Sequence, residues 1–143
     1  MQKVVIDTNV FVSAVMSEAG AARAVVRLAL ERRIVPVMGA ALFAEYESVL
    51  ARRNLFENAP VAEAERATLF DAFLSVSSWT SIYFLWRPNL RDEADNHIVE
   101  LAVASNALAI ITQNIRDFQQ PEIGFSMFKV LSPEAFLEGV GER

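Results

Sequence analysis

Apolar residues fall along this chain in short uninterrupted blocks separated by longer amphipathic stretches. The first block, Val4-Val5-Ile6, is β-branched throughout, as a strand buried on both faces requires. It stops on Asp7, Thr8 and Asn9, residue types that favour helix starts, and a short helix is predicted over Asn9 to Met16. A second helix, rich in Ala, Leu and Arg, is predicted over Ala19 to Arg33. Ile34 to Val37 reads as a brief strand whose Pro36 marks an end or an irregularity. Gly39 to Arg53 places Leu42, Phe43, Tyr46, Val49 and Leu50 at helical spacing, and Val61 to Val76 does the same with Leu69, Phe70, Phe73 and Leu74. Trp79 to Trp86, aromatic and β-branched, is predicted as a strand. A helix over Asp92 to Asn106, a strand over Leu108 to Thr112, a helical turn over Asn114 to Gln119 and a strand within Phe125 to Leu131 follow. Ser132 then caps a last helix, with Pro133 at its first position. Strands alternate with helices, and no linker or repeat intervenes. The pattern predicts one domain over residues 1–143, a three-layer α/β fold with a mainly parallel sheet.

Composition narrows the chemistry. The chain has no cysteine and one histidine, His97. Thiolate catalysis, disulfides, cysteine-ligated zinc and multi-histidine metal sites are therefore excluded. Any metal would be held by oxygen, which points to magnesium, manganese or calcium. A hydrophobic content of 53% is enough to build a core in 143 residues. A mean hydropathy of +0.27 suggests an apolar contact surface, hence a dimer or a partner. The apolar start resembles a signal peptide in outline, but Asp7 and Asn9 interrupt it. Asp71 and several hydroxyl residues likewise break the tract from Leu69 to Trp86, so no membrane span is expected. A cytoplasmic protein is the expectation. The net charge of −5 weighs against nucleic acid, although clustered site carboxylates contribute to that total and are offset once cations bind.

Four acidic residues stand where strand gives way to helix, or on a helix that reaches that edge. Ligands collect at the carboxyl ends of parallel strands, and Asp7 directly follows one. Glu45 flanks the apolar stripe of its helix, which centres on Tyr46; Glu47 flanks it equally on the other side, so periodicity does not choose between them. Asp95 shares a helix face with Ile98, Val99 and Ala102, where a carboxylate is costly unless paired or metal-bound. Asp92 as a cap, with Asp95 three residues on, accounts for the same pair as a capping arrangement. Asp117, three residues after Asn114, allows both readings again. His97 lies off the apolar stripe and reads as surface or interface. Phe70, Phe73, Trp79, Tyr83, Phe84 and Trp86 read as core or contact surface in preference to a base-stacking platform. Several carboxylates without histidine or cysteine partners are what hard divalent cations need, and such ions activate water and stabilise charge during phosphodiester cleavage.

Four motifs in order resemble those of the PIN domain family. Val5-Ile6-Asp7-Thr8-Asn9 is similar to its opening strand and first acidic residue. Glu45 within Leu42-Phe43-Ala44-Glu45-Tyr46 resembles its helical glutamate. Asp95, heading Asn96-His97-Ile98-Val99-Glu100-Leu101-Ala102, resembles the third acidic position, and Asp117 in Thr112-Gln113-Asn114-Ile115-Arg116-Asp117-Phe118 the fourth. Among PIN proteins the chain looks like the small VapC-like toxins of toxin–antitoxin pairs. The resemblance implies a five-stranded parallel sheet in an α/β/α sandwich and cleavage of single-stranded RNA dependent on Mg2+ or Mn2+. It also implies a homodimer and a cognate antitoxin, seated on the helical pair around residues 40–75. Asp7, Glu45, Asp95 and Asp117 would be catalytic and metal-binding, with Thr8 and Asn114 in support. Position 114 often carries Asp in the family, and Asn114 removes one charge from a second metal site.

Two other readings compete. A non-catalytic PIN-like module that binds RNA or protein fits the acidic balance and Asn114. A phosphotransferase of the haloacid dehalogenase type would use Asp7 as nucleophile, but that class carries a second Asp two residues on, where this chain has Asn9.

Overall fold

The structure is a computed structural model that describes residues 2–17, 19–82, 96–118 and 128–141. Among these, five strands form one parallel sheet: β1 (Lys3–Ile6), β2 (Val35–Met38), β3 (Ser78–Trp79), β4 (Ala109–Ile111) and β5 (Lys129–Leu131). Their spatial order is β3-β2-β1-β4-β5. Six α-helices connect or flank them: α1 (Thr8–Met16), α2 (Ala21–Leu30), α3 (Ala40–Leu50), α4 (Glu63–Ser75), α5 (Asn96–Ser105) and α6 (Pro133–Gly141). The first turn of the helix predicted over Asp92 to Asn106, with Asp92 and Asp95, lies outside the described residues.

Successive residues of a strand point to opposite faces. In β1, Val4, Val5 and Ile6 are all at 1% exposure or less, so both faces of the sheet are covered. β4 repeats this with Ala109, Ile110 and Ile111. Full burial on both sides is why these strands read as unbroken apolar blocks and not as alternations. It also absorbs most of the apolar excess. Among the described residues, Leu55, Trp79 and Leu108 are the exposed large apolar side chains.

Two helices stop where the backbone turns left-handed. Arg32, at φ 62°, closes α2, with Arg33 N–H donating to Leu28 and Arg32 N–H to Ala29. Asn106, at φ 60°, closes α5 with the same pair of bonds to Ala102 and Val103. Ser132 caps α6 as expected, its hydroxyl accepting from Ala135 N–H at 3.0 Å. The strand predicted from Trp79 onward is shorter: within the described residues it ends at Trp79. Thr80 N–H bonds Met38 O, and then β2 gives way to α3, leaving the edge strand no neighbour to pair with. The predicted strand residues Tyr83 to Trp86 lie outside the described residues.

One aromatic cluster fixes α1, α3 and α4 against the sheet. Phe11 meets Tyr46 edge-on at 5.6 Å and packs on Phe73 at 5.2 Å, while Phe70 stacks on Tyr46 at 5.4 Å. Tyr46 is buried, and its hydroxyl donates to the carbonyl of Ile6 at 2.7 Å. That bond ties α3 to the last residue of β1, directly before Asp7. Burial, aided by the charges of Asp7 and Glu45, holds the phenol far above its ordinary range, so it stays a donor. Tyr46→Phe removes the donor and leaves a buried carbonyl short of a partner. Urea denaturation should show a loss of about 1–2 kcal/mol.

Candidate active site

The chain leaves β1 toward β2 and β3 on one side, and later returns to place β4 and β5 on the other. The crevice between β1 and β4 is therefore a topological switch point, the place where open α/β sheets bind ligands. Asp7 follows β1 there, and Thr112 follows β4. Both are buried, Asp7 at 5% exposure and Thr112 at 0%.

Asp7 occupies the N-cap position of α1, yet its carboxylate makes no capping bond. It turns to the seam instead. Thr112 donates to its Oδ2 at 2.8 Å, and the Asn9 amide donates to the same oxygen at 3.2 Å. Asn9 also bonds Thr112 Oγ1 and accepts from Gln113 N–H, and Asn114 N–H donates to Thr112 Oγ1. Asn114 thus braces the site through its backbone. Neither Asn9 nor Thr112 was singled out as a functional residue from sequence; the signal for each is its place at a strand's carboxyl end.

Glu45 reaches the same spot from α3. It is half-buried, while Glu47 is exposed, so the symmetry that periodicity left open is broken by which flank of Tyr46 faces the seam. Thr8 donates to Glu45 Oε1 at 2.9 Å and lies 3.5 Å from Asp7 Oδ1. His97, from α5, bonds Glu45 Oε2 at 2.7 Å. The expected surface histidine is therefore a partner of the site. Its helix presents two faces to protein, one to the sheet and one to α3, and the apolar stripe reports only the first.

Each carboxylate has one oxygen anchored and one turned inward. Oδ2 of Asp7 is held by Thr112 and Asn9, and Oε2 of Glu45 by His97. The facing oxygens, Oδ1 and Oε1, share the Thr8 hydroxyl, which has a single proton to give. Two hard anionic oxygens and a hydroxyl, with one proton among them, fit a divalent cation of the magnesium or manganese kind. Asp117 lies in the 3-10 turn Ile115–Phe118 after β4, and Asp95 lies outside the described residues. Among the described residues no group of three acidic or histidine ligands assembles.

Electrostatics separates the two carboxylates. Burial pushes the Asp7 carboxyl above its ordinary value, with Glu45 adding to the rise and Thr112 opposing it. Glu45 moves down, chiefly through its bond to His97. An ionised Glu45 accepts, so Nε2 of His97 carries the proton in that bond. Since Asp7 is raised in the folded state, its ionisation opposes folding at neutral pH. The penalty is relieved as pH falls through the raised value, and vanishes below the unfolded value of 3.8, where both states are protonated. In EDTA, Asp7→Asn should melt at a higher temperature than the native protein at pH 7. The difference should close as the pH is lowered toward 3.8; equal melting temperatures at pH 7 would contradict the assignment.

The comparisons agree with this architecture. In the crystal structure of VapBC2 from Rickettsia felis, bound to a DNA fragment from its promoter, one chain superposes with a TM-score of 0.60 at 16% identity. The match covers 92% of this chain and 98% of that one, and at such identity it speaks for the fold alone. No curated protein matches the sequence. A family model described as PIN domain matches residues 3–116, most of the chain and both strands of the seam. The chain belongs to the PIN domain family.

Proposed function

We propose that this protein is a divalent-metal-dependent endoribonuclease that cuts single-stranded RNA, and the toxin of a toxin–antitoxin pair. The observation that carries the reading is the inward pair, Asp7 Oδ1 and Glu45 Oε1, sharing the one proton of Thr8 at the switch point. PIN domains are generally nucleases, which supports a hydrolase. The likeness to the VapBC2 structure, together with the VapC-like motifs, supports an antitoxin as partner. Asp95 and Asp117 complete the proposed ligand set, with Thr8 and Asn114 supporting it. A single domain, a homodimer and a cytoplasmic setting go with this proposal. Among the described residues no helix is long and apolar enough to cross a membrane.

Asp7 and Glu45 would hold Mg2+ or Mn2+, which when bound activates water and neutralises charge building on the phosphate. The chain's own residues supply orientation. Thr112 and Asn9 fix the Asp7 carboxylate so that Oδ1 remains the oxygen open to a ligand. His97 does the same for Glu45, leaving Oε1. Tyr46 holds the end of β1 in place beneath them. Arg52, directly beyond α3, is exposed, and its charge reaches Glu45. It is placed to take a phosphate of the strand passing over the centre. Asn9 fills the position where a phosphotransferase of the haloacid dehalogenase type carries its second Asp, and its amide donates to Asp7, which does not suit that chemistry.

Cleavage of a mixed single-stranded RNA pool should require Mn2+ or Mg2+ and be abolished in Asp7→Asn. Retained cutting by that variant would sink the assignment of Asp7 to the centre. In parallel, Mn2+ at 100 times its Kd should stabilise the native protein by about 2.7 kcal/mol in chemical denaturation. Asp7→Asn and Glu45→Gln should lose that gain. No metal-linked stabilisation in the native protein would favour the binding module, the reading that suits a net charge of −5. Arg52→Gln should weaken RNA binding and reduce the slope of log affinity against log salt by about 0.7, the value of one released counterion on a single strand.

A further inference from the structure

Beside the carboxylate centre, at the amino end of α3, lies a cavity of about 460 Å³. Ala40 and Ala41 line one side, Trp79 and residues 80–82 another, and His97 and Glu100 the wall toward the site. His97 is common to both places, with Nε2 on Glu45 and its ring in the cavity wall. Trp79 is 54% exposed, the most exposed large apolar side chain among the described residues. It is not loose, because its backbone is paired in β3 and Phe43 packs on its ring at 5.5 Å. One side of the indole is supported and the rest stands open at the cavity.

We infer that this cavity takes an unpaired nucleobase of the RNA strand, stacked on Trp79, next to the phosphate at the Asp7–Glu45 centre. The inference rests on the single-stranded RNA reading of that centre and names a subsite for it. The lining selects the base over the other parts of a nucleotide. Glu100 lines the cavity, with Glu45 bonded to His97 behind its wall, and these carboxylates would repel a phosphate, whereas a base is neutral and planar. Thr80 and Ser81 bring hydroxyls to the cavity for the base edge, and the two alanines leave room for a ring. The volume falls in the range of small-molecule sites. A stacking face with few base-specific groups suits binding to single strands, where base–aromatic stacking tolerates sequence. The spacing is also suitable: Ala41 and Glu45 are one helical turn apart, about 6 Å along α3.

The test separates this subsite from the chemistry. Anisotropy of a labelled single-stranded RNA octamer is measured in EDTA, where no metal-dependent cutting proceeds. Trp79→Ala should bind about ten-fold more weakly than the native protein, and Trp79→Phe, which keeps a stacking ring, should bind close to native. In a Trp86→Phe background Trp79 is the sole tryptophan, and its emission should be quenched by the octamer. Native affinity in Trp79→Ala, or emission indifferent to RNA, overturns the base pocket and leaves the cavity to a protein occupant. Equal loss of binding in Trp79→Ala and Trp79→Phe overturns it too, as a structural effect. A protein that binds RNA through Trp79 but never cuts it with Mn2+ keeps the pocket and loses the nuclease. One that cuts, yet binds equally well as Trp79→Ala, does the reverse.

Discussion

A buried carboxylate needs donors or a cation, and this fold places Asp7 at the one seam that can supply both. β1 is the central strand, buried on both faces, and the chain crosses to opposite sides of it in its two halves. At the ends of β1 and β4 the ladder stops while α1 begins, so backbone and side chains of two distant segments face each other across a gap. Thr112 and Asn9 fill one side of that gap with donors. The other oxygen, Oδ1, meets the Thr8 hydroxyl at a longer 3.5 Å, and that hydroxyl's proton goes to Glu45. The rest of the site depends on this asymmetry, because it decides which oxygen is structural and which is offered.

The aromatic cluster serves the same end from below. Tyr46 is the largest fully buried side chain among the described residues, and its hydroxyl reaches the carbonyl preceding Asp7. Its neighbour Glu45 is carried to the seam because Tyr46 is carried to the core. Core packing and ligand placement are thus set by adjacent residues on one helix, and a shift in one would move the other. The cost is visible in Asp7, whose carboxyl is raised by burial and by Glu45 together. A site whose carboxylates repel each other would gain from a bound cation, and stability is traded for that arrangement.

Much of the architecture was legible because parallel strands buried on both faces leave continuous apolar blocks, and β1 and β4 are such blocks. The helix ends were less so. Arg32 adopts a left-handed turn that its residue type does not favour, so α2 ends before the run of good helix formers does. Asp7 was legible as the polar stop of an apolar strand. Glu45 was not separable from Glu47, since both flank Tyr46 by the same angle and only the position of β1 breaks the tie. His97 was hidden for a related reason: a single stripe records one packed face, and its contact is with α3. Trp79 reads as core or contact surface, and its exposure follows from β3 being a two-residue strand at the edge of the sheet formed by the described residues. The side chains of Asp95 and Asp117 remain assignments by resemblance.

The acidic balance of the whole chain is less of an obstacle to RNA than its total implies. Affinity for a polyanion depends on where charge lies along the strand's path, not on the sum over the molecule. α3 orders that path. Its first residues border the cavity that Trp79 and Glu100 also line, Glu45 stands near its middle, and Arg52 follows its end. Arg52 lies close enough for its charge to act on Glu45. Paired negative charge thus lies at the centre, with Arg52 beyond one end of α3 and the exposed Trp79 ring near the other. On the proposed reading, a strand laid along α3 would meet two carboxylates together at the Asp7–Glu45 centre, where a bound metal ion would turn their repulsion into binding.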